Sequence, residues 1–207
     1  MNAQDHLNLF KRLKTIADTG LLYSTNEYDK ERYTELQEIS FQLLQQISGQ
    51  SIELLKETFP AAKDYPTVKV DVRAFVLSPD QKILLVKETT DGNWSLPGGW
   101  ADIGYSAREI AVKECKEETG LDVIPLRLLA VFDKKFHAHP PEPFYVYKMV
   151  IHCEAASSVS NRGFDIADVQ YFSITDLPKL SEFRILKSQL ELLYRIALSP
   201  GNEVYFD

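Results

Sequence analysis

The reading turns on residues 96–121, LPGGWADIGYSAREIAVKECKEETGL. Ser106, three residues ahead of Glu109, forms the pattern of a capping box, which predicts a helix over 106–119. Gly120 is a natural stop for it. At about 100° per residue and with Glu114 set at zero, Glu117 falls near 300° and Glu118 near 40°. Ile110, Ala107 and Ala111 fall at about 320°, 20° and 60°, inside or bordering the same arc. Lys116, Glu109 and Lys113, at about 200°, 220° and 260°, face water. The three acids therefore continue an apolar stripe that turns toward the protein. Carboxylates stacked there repel one another and lose hydration, so they call for protonation or a cation. An all-oxygen donor set suits Mg2+ or Mn2+ better than zinc. The competing reading is a solvated acidic face, and the apolar neighbours argue against it. Pro97-Gly98-Gly99 and Gly104 allow backbone to approach a ligand closely. The pairs Glu109–Lys113 and Lys113–Glu117 each support the helix by about 0.2–0.5 kcal/mol.

On the N-terminal side, VKVDVRAFVLS and ILLVKET are β-branched, apolar runs flanking Pro79-Asp80-Gln81, a hairpin signal. Ahead of them the pattern is helical. Leu9, Leu13, Ile16 and Leu21 mark a helix within 2–22, with Gly20 as an interruption. Leu36, Ile39, Leu43, Leu44 and Ile47 mark one over 29–48, closed by Gly49, and a short one over 51–59 stops at Pro60. The turn signals in 61–68 place a domain boundary there, between a helical extension over 1–62 and a second domain over 67–207. On the C-terminal side, VIPLRLLAVFDKKF and PFYVYKMVIHCEAA read as strands separated by HAHPPE. The polar loop SSVSNRG then leads to a short strand, DVQYFSI. Residues 181–197 carry Phe183, Leu186, Leu190 and Leu193 as a helical stripe, and the tail SPGNEVYFD carries no signal. Trp94 reads as core. Strands mixed with two segregated helices give the class α/β (α+β), a sandwich.

Composition bounds the function. The chain has 207 residues, 44% hydrophobic and 26% charged, which is ample for a buried core and excludes a wholly disordered chain. Lys+Arg number 23 against 30 Asp+Glu, a net charge of -7. That balance disfavours duplex nucleic acid and anionic membrane, and it requires a cation to accompany an anionic substrate. No apolar run is long enough for a transmembrane helix, and the N-terminus lacks the apolar region of a secretory signal, so a cytoplasmic location is expected. Cys115 and Cys153 are too few for a disulfide framework or a zinc cage and read as reduced thiols. His137-x-His139 lacks a third ligand for zinc.

Residues 99–121 resemble the signature of the Nudix hydrolases. Gly99 is followed by five residues, Tyr105, seven residues, and Lys113-Glu114-Cys115-Lys116-Glu117-Glu118-Thr119-Gly120-Leu121, with the family's spacing intact. Two positions depart: Tyr105 stands where the family has Glu, and Lys113 where it has Arg, whose bidentate fork Lys lacks. Asp102 offers a nearby acid in compensation. The resemblance implies an α/β/α Nudix sandwich with a mixed sheet. It implies Mg2+ or Mn2+ bound by Glu114, Glu117 and Glu118 with the carbonyl of Gly99. It also makes Glu114, Glu117, Glu118 and Lys113 the catalytic set, with Glu118, Asp165 or Asp168 as the base. The helical extension, WSLPGGWADIGYSAREIA and HPPEPF are similar to a bacterial subgroup acting on nucleoside diphosphates linked to a second moiety, such as CDP-choline and ADP-ribose. Hydrolysis of that pyrophosphate to a nucleoside monophosphate and a phosphorylated moiety is the expected activity. Lys134, Phe136, His137 and His139 are the candidate substrate contacts, with an exposed basic turn as the alternative. The N-terminal helices are short for a free-standing core and are expected to contribute to a homodimer. Two other readings stay open: a non-catalytic, ligand-sensing Nudix-like module, and a hydrolase of RNA ends.

Overall fold

The structure is a computed structural model describing residues 3–60, 62–142, 145–159 and 163–207, with the side chains of Ala3 and Gln4 excepted. The expectations that touch Asn2, Ala61, Pro143, Phe144 and residues 160–162 of the polar loop lie outside the described residues. The chain divides into two compact units, Met1–Val68 with Pro141–Phe144, and Lys69–Pro140 with Tyr145–Asp207. Pro141 and Glu142, which sequence reading placed with the second domain, group with the first, where Lys11 Nζ donates to the Glu142 carbonyl at 3.1 Å.

The first unit is helical: α1 (Ala3–Tyr23), α2 (Glu27–Ser48) and α3 (Ile52–Thr58). The side chains of Asn26 and Ser51 cap the last two, and Gly49 closes α2 in the left-handed conformation. Gly20 does not interrupt α1. A Cβ there would stand 2.4 Å from the Tyr33 ring, so the glycine lets the two helices approach. Phe41, Leu44 and Leu55 form a small apolar core with Phe10, Ile52 and Phe59 against it. Beside that core Asp18 accepts from Lys14 Nζ and Gln37 Nε2, both at 2.5 Å.

The second unit runs β1 (Lys69–Val76), β2 (Ile83–Glu88), β3 (Trp94–Ser95), β4 (Gly98–Trp100), α4 (Ala107–Thr119), β5 (Val123–Asp133), a 3-10 turn (Lys134–Phe136), β6 (Val146–Ala155), β7 (Ile166–Phe172), α5 (Lys187–Leu198) and β8 (Tyr205–Phe206). A five-stranded mixed sheet has the order β4-β1-β6-β5-β8, and a three-stranded sheet the order β3-β2-β7. The expected hairpin is thus split. β1 has β6 on one side and β4 on the other, so β2 finds no free edge and pairs with β7 and β3 instead, keeping only the Leu77–Ile83 bridge.

Residue alternation along the strands sorts the core into two layers. Val72, Ala74, Val76, Ile151 and Cys153 pack with Ile110, Ala111 and Cys115 of α4. Phe75, Ala130, Phe132 and Val150 pack on the other face with Ile185, Leu190, Leu193 and Ile196 of the α5 region. Trp94 is buried there, edge-on to Phe172. The last helix starts at Lys187, six residues later than the stripe suggested. Ser181 N–H bonds the Trp94 carbonyl and Ser181 accepts from Arg184 and Ile185, a tight turn that leaves Phe183 exposed. The tail is also used: β8 pairs with β5, and Asp207 accepts from Asp133 N and His137 Nε2. Both cysteines are free and buried. Among the described residues no helix is long and apolar enough to cross a membrane.

Candidate active site

The capping box forms as the sequence requires. Ser106 Oγ accepts from Glu109 N, and Glu109 Oε2 accepts from Ser106 N at 2.8 Å. Glu109 is thereby engaged, and Lys113 turns elsewhere. Its Nζ lies 3.0 Å from Glu117 Oε2, 3.3 Å from Asp102 Oδ2 and 3.4 Å from Glu114 Oε1. One ammonium thus stands among three carboxylates, and the hydrogen bond to Glu117 above all holds its pKa up.

The three signature acids differ in exposure. Glu118 is buried, Glu114 half-buried and Glu117 exposed. The buried arc of α4 runs through Ile110, Ala111, Cys115, Glu118 and Thr119, so Glu117, about 60° from Glu114 on the wheel, falls at its rim rather than on the inward ridge. Among the described residues no three His, Cys, Asp or Glu side chains are already drawn into a metal-holding cluster.

The glycine loop meets these acids directly. Gly98 has φ +142°, and its N–H donates to Glu118 Oε2 at 3.0 Å. A Cβ on Gly98 would stand 2.2 Å from the Val72 carbonyl oxygen. At Gly99 a Cβ would stand 3.2 Å from Glu114 Oε2, so the bare backbone borders that carboxylate. Burial raises the Glu118 pKa to about 8, against the opposing pull of Arg73 and of the Gly98 N–H. Burial also raises Glu114, with Lys113 opposing. A buried and a half-buried carboxylate, bare glycine backbone beside them and an ammonium among the acids are hard oxygen donors and counter-charge that fit a divalent cation.

Behind the loop lies a buried charged cluster that sequence reading missed. Arg73 Nε donates to Asp71 Oδ1 at 2.9 Å and Arg73 Nη1 to the Leu96 carbonyl at 3.0 Å. Lys148, fully buried, bonds Asp71 Oδ2. Burial alone would raise Asp71, but Arg73 and Lys148 hold it below the usual carboxylate range. Ser95 Oγ and Arg184 Nε both bond Glu88 Oε1, at 2.7 and 3.0 Å. The available signal was the alternation Lys69-Val-Asp71-Val-Arg73, which puts three charges on one strand face.

On the far side of α4, Gly163 N–H bonds the Glu118 carbonyl at 3.0 Å. A Cβ on Gly163 would lie 2.9 Å from the Glu117 carbonyl oxygen and 3.2 Å from Asp165 Oδ1, so Asp165 borders the end of the helix. Asp168 lies on β7 and accepts from Val169 N and Gln170 Nε2. The segment 134–139 is tied to other parts of the unit. Lys134 Nζ donates to the Phe183 carbonyl, His137 meets Asp207 at 2.9 Å, and His139 Nδ1 meets the Glu182 carbonyl at 2.6 Å. Phe136 is exposed. Burial pushes the His139 pKa down to about 4, so this ring is neutral near pH 7 and offers a phosphate no charge.

Comparison with known proteins adds identity to this geometry. Residues 67–193 match the NUDIX domain family, and residues 4–59 match the UDP-X-like, N-terminal oligomerisation domain. A putative ADP-ribose pyrophosphatase, YjhB of Bacillus subtilis (strain 168), is 41% identical over 197 residues, covering 95% of this chain and 94% of the relative. An ADP-ribose pyrophosphatase of Methanocaldococcus jannaschii is 32% identical over 123 residues, 56% of this chain and 68% of that protein. Among solved structures, a UDP-X diphosphatase superposes over 100% of both chains with TM-score 0.64 and 35% identity.

Proposed function

The chain belongs to the Nudix hydrolase family, and from that premise we propose that it hydrolyses the pyrophosphate bond of a nucleoside diphosphate linked to a second moiety, of the ADP-ribose type. CDP-choline falls in the same chemical class. The observation that carries the reading is the clasp of the glycine loop on the helix acids, with Gly98 N–H on Glu118 and the bare Gly99 against Glu114.

Glu114, Glu117, Glu118 and the Gly99 carbonyl would hold Mg2+ or Mn2+. When bound, such an ion neutralises the pyrophosphate and lowers the pKa of a nearby water. The chain's own residues do the rest. Gly98 N–H fixes Glu118 in place, and the charge of Arg73 favours its ionised form. Lys113 balances the charge of Glu114, Glu117 and Asp102, the last compensating for Tyr105 at the position where the family has an acid. Glu118, with its raised pKa, or Asp165, at the end of α4, accepts the proton of the attacking water; Asp168 is committed to its hydrogen bonds on β7. Lys134, Phe136, His137 and His139 are the substrate contacts of this reading, with the His139 ring acting uncharged. The N-terminal helical unit, residues 1–62 of the sequence reading, carries association into a homodimer, in keeping with the family matched over 4–59.

The test is a substrate panel with Mg2+: ADP-ribose, CDP-choline, nucleoside triphosphates and capped RNA, assayed for nucleoside monophosphate. Release of monophosphate from ADP-ribose or CDP-choline well ahead of the others is expected, with loss of turnover in Glu118→Gln. Cleavage of triphosphates or capped RNA alone, or undiminished turnover in the variant, contradicts the proposal.

A further inference from the structure

Strand β4 presents its residues alternately to the two faces of the sheet. Gly99 lies toward α4 and Glu114, and its neighbour Trp100, paired with Asp71, lies toward the other face. The chain has two tryptophans. Trp94 is 8% exposed and belongs to the core, whereas Trp100 is 49% exposed and belongs to neither apolar layer. β4 is an edge strand, so Trp100, the residue after Gly99, stands at the rim of the sheet with its indole half in water, leaving apolar area unburied that a core position would cover. Lys69, two residues from Asp71 on the same strand face, holds its ammonium 5.2 Å from the Trp100 ring centroid. In a chain of net charge -7 this places positive charge over one face of a half-exposed indole, complementary to an anionic nucleotide. The loop that follows adds Ile103, fully exposed, and Tyr105, half-exposed, to the rim.

We infer that Trp100 is the platform on which the nucleobase of the substrate stacks. The inference rests on the proposed nucleotide-pyrophosphate substrate. The proteins this chain resembles are named for different nucleotides, ADP-ribose in one and UDP-X in another. Every base has a π-face, so an aromatic platform tolerates purine and pyrimidine alike, whereas a hydrogen-bonding pocket selects one.

The experiment follows tryptophan emission of the full chain during titration with AMP, UMP and ribose 5-phosphate. AMP and UMP quench the emission, and ribose 5-phosphate does not. In Trp100→Leu the quench by both nucleotides disappears and KM for ADP-ribose rises about tenfold, the scale of one base–aromatic stack. Trp100→Phe, which keeps an aromatic face, recovers most of that KM. Quenching that persists in Trp100→Leu, or an unchanged KM, overturns the platform, as does quenching by ribose 5-phosphate equal to that by AMP. Circular dichroism confirms that the variants are folded, and Trp100→Phe carries the test if Trp100→Leu is not. A wild-type protein that is quenched by AMP but turns over no pyrophosphate retains the platform and loses the proposed function. Turnover with wild-type KM in Trp100→Leu does the reverse.

Discussion

Gly98 donates its backbone N–H to Glu118 Oε2 at 3.0 Å from a conformation, φ +142°, that side chains rarely adopt. The strand behind leaves no room for a Cβ, with Val72 O at 2.2 Å and Arg73 Cα at 2.8 Å. Both the torsion and the contact are intrinsic to glycine. Gly98→Ala is therefore expected to destabilise the fold by about 2–4 kcal/mol. Urea unfolding measures this, and a loss under about 0.5 kcal/mol, the scale of an ordinary surface change, contradicts it.

Asp71 serves two buried cations at once. Replacing it with Asn leaves buried Lys148 without its counter-charge and removes one from Arg73, and about 3–5 kcal/mol of stability should be lost. The double variant Asp71→Asn, Lys148→Met should recover part of that loss, since it removes one of the stranded charges. A double-mutant cycle with no coupling between the two positions contradicts the geometry.

The helix capping, the Gly120 stop and the separation of helical from strand-rich chain were legible because each is set by residues close in sequence. The long-range relations were not. β2 left β1 because β6, some seventy residues on, claimed its edge. Ser181 shortened the last helix by bonding the Trp94 backbone, which no local pattern announces. In the site, the spacing of Glu114, Glu117 and Glu118 was readable from the wheel, but Lys113 depended on the capping box consuming Glu109. Lys148 lies within the run PFYVYKMVIHCEAA, and only the strand register sets it opposite Asp71.

His139 gives a signed dependence on pH. Its folded pKa is about 4, depressed by burial, against roughly 6.5 in an unfolded chain. As pH falls through that interval the unfolded chain takes up the proton first, so the contribution present above pH 6.5 is progressively lost down to about pH 4. The change attributable to this ring is on the order of 3 kcal/mol. His139→Asn, which keeps a donor for the Glu182 carbonyl, should show a flatter stability profile between pH 6.5 and 4. Urea midpoints across that range decide it, and an identical slope in the variant counts against the assignment.

Lys113 and a divalent ion compete for the same carboxylates. Lys113→Met should change stability in the absence of divalent ions by no more than about 1 kcal/mol, as the ion pairs are partly exposed. The rise in Tm produced by millimolar Mn2+ should be larger in the variant than in the wild type, because the ion no longer displaces an ammonium. A smaller rise shows instead that Lys113 holds the carboxylates in their binding arrangement.

Calorimetric titration of the metal-free protein with Mn2+ addresses the central claim, that the acids of α4 and the glycine loop together form a divalent-ion site. The wild type should take up Mn2+ at sub-millimolar to millimolar concentration, and Glu114→Gln and Glu118→Gln should each weaken that uptake at least tenfold while remaining folded. Absence of uptake by the wild type, or wild-type affinity in both variants, contradicts the account.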